Sequence, residues 1–303
     1  MLKLRDHIVT SYEGRYGMTP DQITVQVLGT FSAFMGTRVI TPNAAKQRQV
    51  LALLALSSGR TVPVPTLMEE LWGDRPPRTA AATLQTYVFH LRARLAADIS
   101  RKRVASEILR TTHSGYQLVC RTDVEEFQRL ARLGREAAEA GDPRAVSELL
   151  GRALGLWRGP ALADVQQGRI LETDAAALEE MRLGVLERRI QADLSLNRHA
   201  DLLGELTLLT ARHPMNENFW GLLMAALYGA GHVARALGAF QRLRLVLNDE
   251  LGVDPSPRLR RLQQAILSGA PAGEVDALLT ADSGQPTLHN GTIGTLYPLL
   301  NFI

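Results

Sequence analysis

The run "RPPRTAAATLQTYVFHLRARL", Arg75–Leu95, decides the reading of this chain. Two prolines open it and lead into a helix that continues to Leu95. On a wheel of about 100° per residue, Leu84, Val88, Leu91 and Leu95 fall within about 60° of one another, with Ala81 at the margin, and make a core face. Thr79, Ala82, Thr83, Thr86, His90 and Arg94 fall on the far side, with Tyr87 toward its edge. A solvated helix normally carries Glu–Lys pairs. This one has no acidic residue between Arg75 and Ala97.

Upstream, "VPVPTLMEELWG" (Val62–Gly73) reads as a short helix with Pro65 in its first turn and Gly73 at its end. "AAKQRQVLALLALSSG" (Ala44–Gly59) reads as another. "ITVQVLGTF" (Ile23–Phe31) alternates apolar and polar residues and predicts a strand, and "TRVIT" (Thr37–Thr41) a second one. Downstream, "SRKRVAS" (Ser100–Ser106) reads as a basic loop. "EILRTTH" and "GYQLVC" then flank Ser114-Gly115 as a hairpin. Strands, three helices and a hairpin, the third helix the longest, is the order of a winged helix-turn-helix, here spanning residues 21–121. Residues 1–20 read as a disordered extension, or translation begins at Met18.

From Asp123 the pattern turns helical. Helices are expected over Asp123–Gly141, over Asp142–Gly159 with Asp142 as cap, and over Glu172–Asn197, the longest. "HADLL" (His199–Leu203) recurs as "VARAL" (Val233–Leu237), 34 residues on. That period predicts stacked helical hairpins of tetratricopeptide-like type within residues 122–269. The tail, 270–303, has no sustained period and reads as mostly disordered, with one weak helix at Glu274–Thr280. The fold class expected is therefore mainly α with a small β component: a winged helix-turn-helix followed by an all-α helical-repeat domain.

Charge separates the two parts. Arg38–Arg121 holds 13 Lys/Arg against 5 Asp/Glu, a net of +8, whereas Thr122 onward holds 18 against 23, a net of −5. A basic domain of this size is the electrostatic footprint of a nucleic-acid binder. A helix entering the major groove must lack carboxylates, which would face phosphates. It also needs small residues for close approach (Ala82), and hydroxyls or methyls that meet base edges or phosphate (Thr79, Thr83, Thr86). Arginines at its ends (Arg78, Arg92, Arg94), with Tyr87 and His90, complete the face. Thr111, Thr112 and His113 sit at the hairpin tip and suit a minor groove or a phosphate, while Tyr116 packs beneath. Lys46 and Arg48 either reach phosphates from the first helix or are plain surface. Arg101, Lys102 and Arg103 form a further basic cluster.

Catalysis finds no foothold. No phosphate-binding glycine loop, dinucleotide fingerprint, H-E-x-x-H, C-x-x-C or G-x-S-x-G occurs. The seven histidines are dispersed, so no metal and no cofactor is expected. The pairs Glu69-Glu70 and Glu179-Glu180 read as solvated helix surface. The single cysteine, Cys120, reads as a small filler at a strand end and suits a reducing cytoplasm. No window approaches the ~18 apolar residues of a membrane span, and no signal peptide is evident.

"WGDRPPRTAAATLQTYVFHLRARL" followed by "ILRTTHSGYQLV" resembles the OmpR-type winged-helix domain of the Streptomyces antibiotic regulatory proteins. The continuation is similar to the bacterial transcriptional activator domain of that family, with "W-x-G-x-A-L" (Trp157–Leu162), "HP-x-x-E" (His213–Glu217) and "ELG-x-DPSP" (Glu250–Pro257) in order. The resemblance spans roughly Ile23 to Ser268 and is to the small form, without the added ATPase domain of larger relatives. It implies a pathway-specific transcriptional activator in the cytoplasm. Such a protein binds direct repeats in promoter DNA as tandem protomers or a homodimer. It holds RNA polymerase there through the σ factor and other subunits, at secondary-metabolite genes. The alternative is a tetratricopeptide-type adaptor whose basic domain binds protein.

Overall fold

The computed structural model describes residues 22–96 and 102–281; the expectations for the N-terminal extension, for Arg101 and for the chain beyond 281 lie outside them. In chain order the elements begin β1 (Ile23–Gln26), β2 (Ser32–Met35), β3 (Arg38–Val39), α1 (Ala45–Leu56), β4 (Thr61–Pro63), α2 (Val64–Trp72), α3 (Ala80–Leu95) and α4 (Lys102–Ile108). They continue β5 (Leu109–Thr111), β6 (Gly115–Leu118), β7 (Arg121–Thr122), α5 (Asp123–Glu139), α6 (Pro143–Leu154) and α7 (Arg169–Ser195). The chain ends in α8 (His199–Arg212), α9 (Glu217–Gly229), α10 (Val233–Leu251), α11 (Pro257–Leu267) and α12 (Ala272–Ala281). It is mainly helical with a small β component, a winged helix-turn-helix followed by helical hairpins. The described residues form two compact units: one takes in those up to Ala140 with Glu148–Leu186, the other Gly141–Ser147 and those from Glu187.

In the first unit, one sheet has the order β3-β2-β1-β7, with β7 parallel to β1. The single strand expected over Ile23–Phe31 breaks at Gln26. The amides of Val27 and Leu28 leave the sheet and donate to the Asp123 carboxylate, at 2.8 and 3.1 Å. Their carbonyls accept from Leu162 and Arg158. Gly29 turns the chain at φ +133, and a Cβ there would stand 3.0 Å from that of Arg158. Both faces of the run are covered, so its alternation did not mark a strand end. The second strand shrinks from Thr37–Thr41 to Arg38–Val39.

Helices α1, α2 and α3 follow, then the hairpin β5–β6 in the register Leu109↔Leu118 and Thr111↔Tyr116. Thr61–Pro63 adds a third strand, β4, beside β6, so the expected second helix starts two residues later, at Val64. Gly73 ends it at φ +58, as read. The stretch read as a basic loop and strand start is helical from Lys102 to Ile108, with Ala105 buried. Cys120 is buried between β6 and β7, its sulfur 4.0 Å from the Ala55 carbonyl. Burial pushes its thiol up to about 12.

The first unit runs past β7. Thr122 and Glu125 form a capping box at the head of α5. Gly134 lets α5 approach α6 closely, since a Cβ would lie 2.2 Å from Leu150 Cδ2. Helix α6 stops at Leu154, not Gly159, and the next residues return to the first sheet. This segment carries the W-x-G-x-A-L motif, and each part has a physical task. Trp157 packs edge-on against Phe127, at 5.5 Å between centroids, under the Arg182 guanidinium. Gly159 passes close to Gly29, Ala161 donates to Glu179 Oε1 at 2.9 Å, and Leu162 donates to Val27.

Glu70 corrects the reading of Glu69-Glu70 as solvated. Its side chain is buried, and its carboxylate accepts from the backbone amides of Gly168 (2.6 Å), Ile170 (3.0 Å) and Leu171 (3.1 Å) and from Gln49 Nε2 (2.8 Å). A carboxylate thus meets the positive end of α7. A Cβ at Gly168 would strike the Glu70 carbonyl at 2.2 Å, so only glycine permits this approach. Glu179 is likewise engaged rather than solvated, whereas Glu180 is exposed as expected.

In the second unit α8 and α10 begin 34 residues apart, at His199 and Val233. Helix α9 packs against both and is buried from Phe219 to Leu227. Gly229 faces the His199 ring, where a Cβ would come within 2.3 Å. Asp193 gathers Arg189, Arg198 and Ser147, at 3.1, 2.8 and 2.7 Å. The weak helix expected at Glu274–Thr280 is the packed α12, with Val275 and Leu279 fully buried and Asp276 bonded to His199 at 3.0 Å. The sequence placed this helix but not its packing, because Val275 and Leu279, one turn apart, are too few to mark a buried face. Among the described residues no helix is long and apolar enough to cross a membrane, and no group of His, Cys, Asp or Glu could hold a metal.

Glu70→Ala leaves several buried donors without an acceptor and is expected to lower stability by about 3 kcal/mol, against under about 0.5 for Glu180→Ala. Denaturant unfolding of both variants measures this, and equal midpoints would remove the assigned role. The Cys120 thiol is expected to resist alkylation at mildly alkaline pH in the folded protein and to react fully in denaturant. Fast labelling of the native protein would show that it is not shielded.

Candidate nucleic-acid interface

Helix α3 is pinned by Ala80, Leu84, Val88, Leu91 and Leu95, none more than 4% exposed. Its C-terminal carbonyl at Leu95 accepts from Arg38 Nη2 at 3.0 Å. The face turned away from this core is formed by Ala82, Gln85, Thr86, Phe89, His90 and Ala93, all exposed. Arg78 and Thr79 are exposed in the turn before it. Thr79 stands at the N-cap without a side-chain bond to the helix; the Ala80 amide donates to the Pro77 carbonyl and the Thr83 amide to the Thr79 carbonyl, each at 2.9 Å. Thr86 Oγ1 donates back to the Ala82 carbonyl at 3.0 Å. His90 Nδ1 lies 3.0 Å from Gln47 Nε2, which ties the imidazole to α1. Thr83 and Tyr87 sit half-buried on the flank.

Several of the expected cations are engaged within the domain. Arg92 binds the Leu109 carbonyl through Nε and Nη2, at 2.9 and 2.8 Å, and Thr111 Oγ1 at 2.9 Å. It is the strut between α3 and the hairpin. Arg94 is half-buried, with Nη1 3.4 Å from the Thr41 carbonyl. Lys46 donates to the Leu71 carbonyl at 2.6 Å and to Gln49 at 3.2 Å, closing the C-terminal end of α2. Arg48 pairs with Asp164, at 2.6 Å to Oδ2 and 3.0 Å to its carbonyl. Asp164 in turn accepts from the Phe31 amide at 2.6 Å.

At the hairpin tip, Thr112 Oγ1 accepts from the Gly115 amide at 3.2 Å, while His113 and Ser114 are exposed. A Cβ on Gly115 would overlap the Val62 carbonyl at 1.9 Å, so glycine is required where β6 starts against β4. Tyr116 is buried beneath the hairpin. The structure thus brings together Arg78, Thr79, Thr86 and His90 on an open face and sets Thr112 and His113 on the wing. Lys46, Arg48, Arg92 and Arg94 hold that geometry from inside.

Two exposed residues of α3 were passed over in the sequence. Gln85 and Phe89 lie at about 100° and 140° on the wheel, well inside the far side. Weight given to hydroxyls and cations hid them, although their angles were readable.

Asp123 shows what a buried charge in this domain requires. Burial pushes its carboxyl above the usual range, and the Val27 amide, the Arg158 guanidinium and the Leu28 amide oppose that shift. Arg158 Nη2 stands 3.0 Å from Oδ2.

Arg92→Ala is expected to cost about 2 kcal/mol of stability, because the Leu109 carbonyl loses a charged donor. Arg92→Lys recovers only part of this, since an ammonium cannot span both partners as the guanidinium fork does. Thermal unfolding of the three proteins checks the order, and identical curves would show that the strut is idle.

Two family models match the chain. Residues 41–118 match the transcriptional regulatory protein C-terminal domain, and residues 122–267 the bacterial transcriptional activator domain. Regulatory protein DnrI of Streptomyces peucetius is 48% identical over 252 residues, covering 82% of this chain and 93% of that protein. Regulatory protein AfsR of Streptomyces griseus is 39% identical over 249 residues, but the chain spans only 25% of its length. A solved structure of Mycobacterium tuberculosis EmbR, in complex with a low-affinity phosphopeptide, superposes with a TM-score of 0.79 at 30% identity, covering 86% of this chain and 69% of that one. With a winged-helix domain, a bacterial transcriptional activator domain and a relative matched over nearly its whole length, the chain belongs to the Streptomyces antibiotic regulatory proteins, a family of transcriptional regulators.

Proposed function

We propose that this protein is a pathway-specific activator that binds direct repeats in promoter DNA and holds RNA polymerase there, at genes of secondary metabolism. It acts by binding rather than catalysis, in the cytoplasm. The observation that carries the reading is the exposed, carboxylate-free face of α3 inside a domain of net charge +8. This face enters the major groove, with Arg78, Thr79, Thr86 and His90 toward the DNA and the first-turn amides of α3 toward a phosphate. Thr83 and Tyr87 line its flank. Thr112 and His113 on the wing approach the adjacent backbone or minor groove. Lys46, Arg48, Arg92 and Arg94 fix the position of the α3 face through internal acceptors, and Lys46, Arg92 and Arg94 add their charge to its approach to the phosphates.

The acidic, all-helical part contacts the polymerase, through the σ factor and other subunits. The net of −5 from Thr122 onward disfavours contact of that part with phosphates. Protomers sit side by side on the repeats.

Footprinting on promoters near the gene is expected to show protected repeats whose centres lie about one helical turn apart. Affinity should fall steeply with salt, and Arg78→Ala should weaken binding on every sequence while lowering the salt slope by about 1. A shift without sequence selectivity, or a flat salt dependence, would overturn the DNA reading and favour the protein-binding adaptor.

A further inference from the structure

Phe89 is 68% exposed, more than any other large apolar side chain among the described residues, and it lies in the middle of the open face of α3. Nothing in the fold explains it. The buried face of the helix, Ala80, Leu84, Val88, Leu91 and Leu95, does not include it, and its ring lies tilted at 58° to that of the adjacent His90 with centroids 5.9 Å apart. His90 itself is bonded to Gln47 on α1. Along the same face, Ala82 stands seven residues before Phe89 and Ala93 four after it, both exposed. Their short side chains leave the phenyl group standing proud of a shallow shelf. Gln85 is one turn before it and also exposed.

We propose that Phe89 is a specificity-determining residue that reads the C5-methyl group of a thymine in the major groove. The proposal rests on the DNA reading above and deepens it. The base edges of the major groove offer donors, acceptors and one apolar group, the thymine methyl. A side chain that can neither donate nor accept, set where α3 faces the groove, discriminates only through that methyl. The alanines on either side permit the close approach this contact needs. Gln85, about 6 Å away along the helix, carries the amide that pairs bidentately with adenine, so the two side chains together favour A·T pairs within the half-site.

The test uses the full chain and a random-sequence duplex library, from which wild type and Phe89→Ala each select their preferred sites. Single thymines in the wild-type site are then replaced by deoxyuridine, which removes only the methyl group. Wild type is expected to lose about four-fold in affinity at one thymine per half-site, or about 0.8 kcal/mol at ~1.4 kcal/mol per tenfold. Phe89→Ala is expected to bind thymine and uracil DNA alike at that position and to select no thymine there. Phe89→Leu, still apolar, should keep part of the preference. Unchanged thermal unfolding of the variants separates readout from folding. If wild type shows no methyl-sensitive thymine, or if Phe89→Ala retains the same sensitivity, the assignment is overturned while DNA binding stands. If wild type selects no sequence at all, the DNA reading itself has failed.

Discussion

Asp123 stands where the first strand ends, and its carboxylate takes the two backbone amides that leave the sheet there. A buried carboxylate of this kind persists only with donors around it. Val27, Leu28 and Arg158 supply them from two distant stretches of chain. One side chain therefore joins the N-terminal sheet, the head of α5 and the segment after α6. Glu70 repeats the device at the head of α7, and the exposed Asp164 accepts the Phe31 amide at the surface. Through these three carboxylates the winged helix is locked to the first helices of the activator domain, and the family-model boundary near residue 120 crosses a single compact unit.

This has a consequence for charge. Acidic groups are not excluded from the basic domain as such. Glu70 is buried against an amide cluster, and Asp164 neutralises Arg48. What is free of carboxylates is the open face of α3. Lys46, Arg92 and Arg94 bond neutral carbonyls and keep their charge, so they add to the positive charge around that face together with exposed cations such as Arg78, whereas Arg48 is neutralised by Asp164. Arg92 and Lys46, bonded to carbonyls of β5 and α2, set where that face points.

Much of this was legible in the chain itself. Leu84, Val88, Leu91 and Leu95 repeat at helical spacing, so the buried side of α3 and its opposite followed directly. The 34-residue recurrence of His199 and Val233 placed two helices of the second unit. Gly73 and the pair Ser114-Gly115 marked ends that the structure keeps. The break after Gln26 was not legible, because its cause, Asp123, lies 96 residues away. Helix α12 was expected at Glu274–Thr280, but its packing was not legible for a similar reason: it packs against α9 and α11, far from it or across a turn in the chain.

By itself the sequence determined the order of the three helices and the hairpin, the buried stripe of α3 and its absence of acid, since these depend on local period and composition. Only the tertiary structure decided which charged groups are free. Glu70 passed for surface and is buried; Lys46 and Arg48, read as phosphate contacts or plain surface, and Arg92, read on the DNA face, each bond an internal acceptor. A side chain's charge is written in its residue type, but its partner is chosen by whichever amide or carbonyl the fold leaves unpaired beside it.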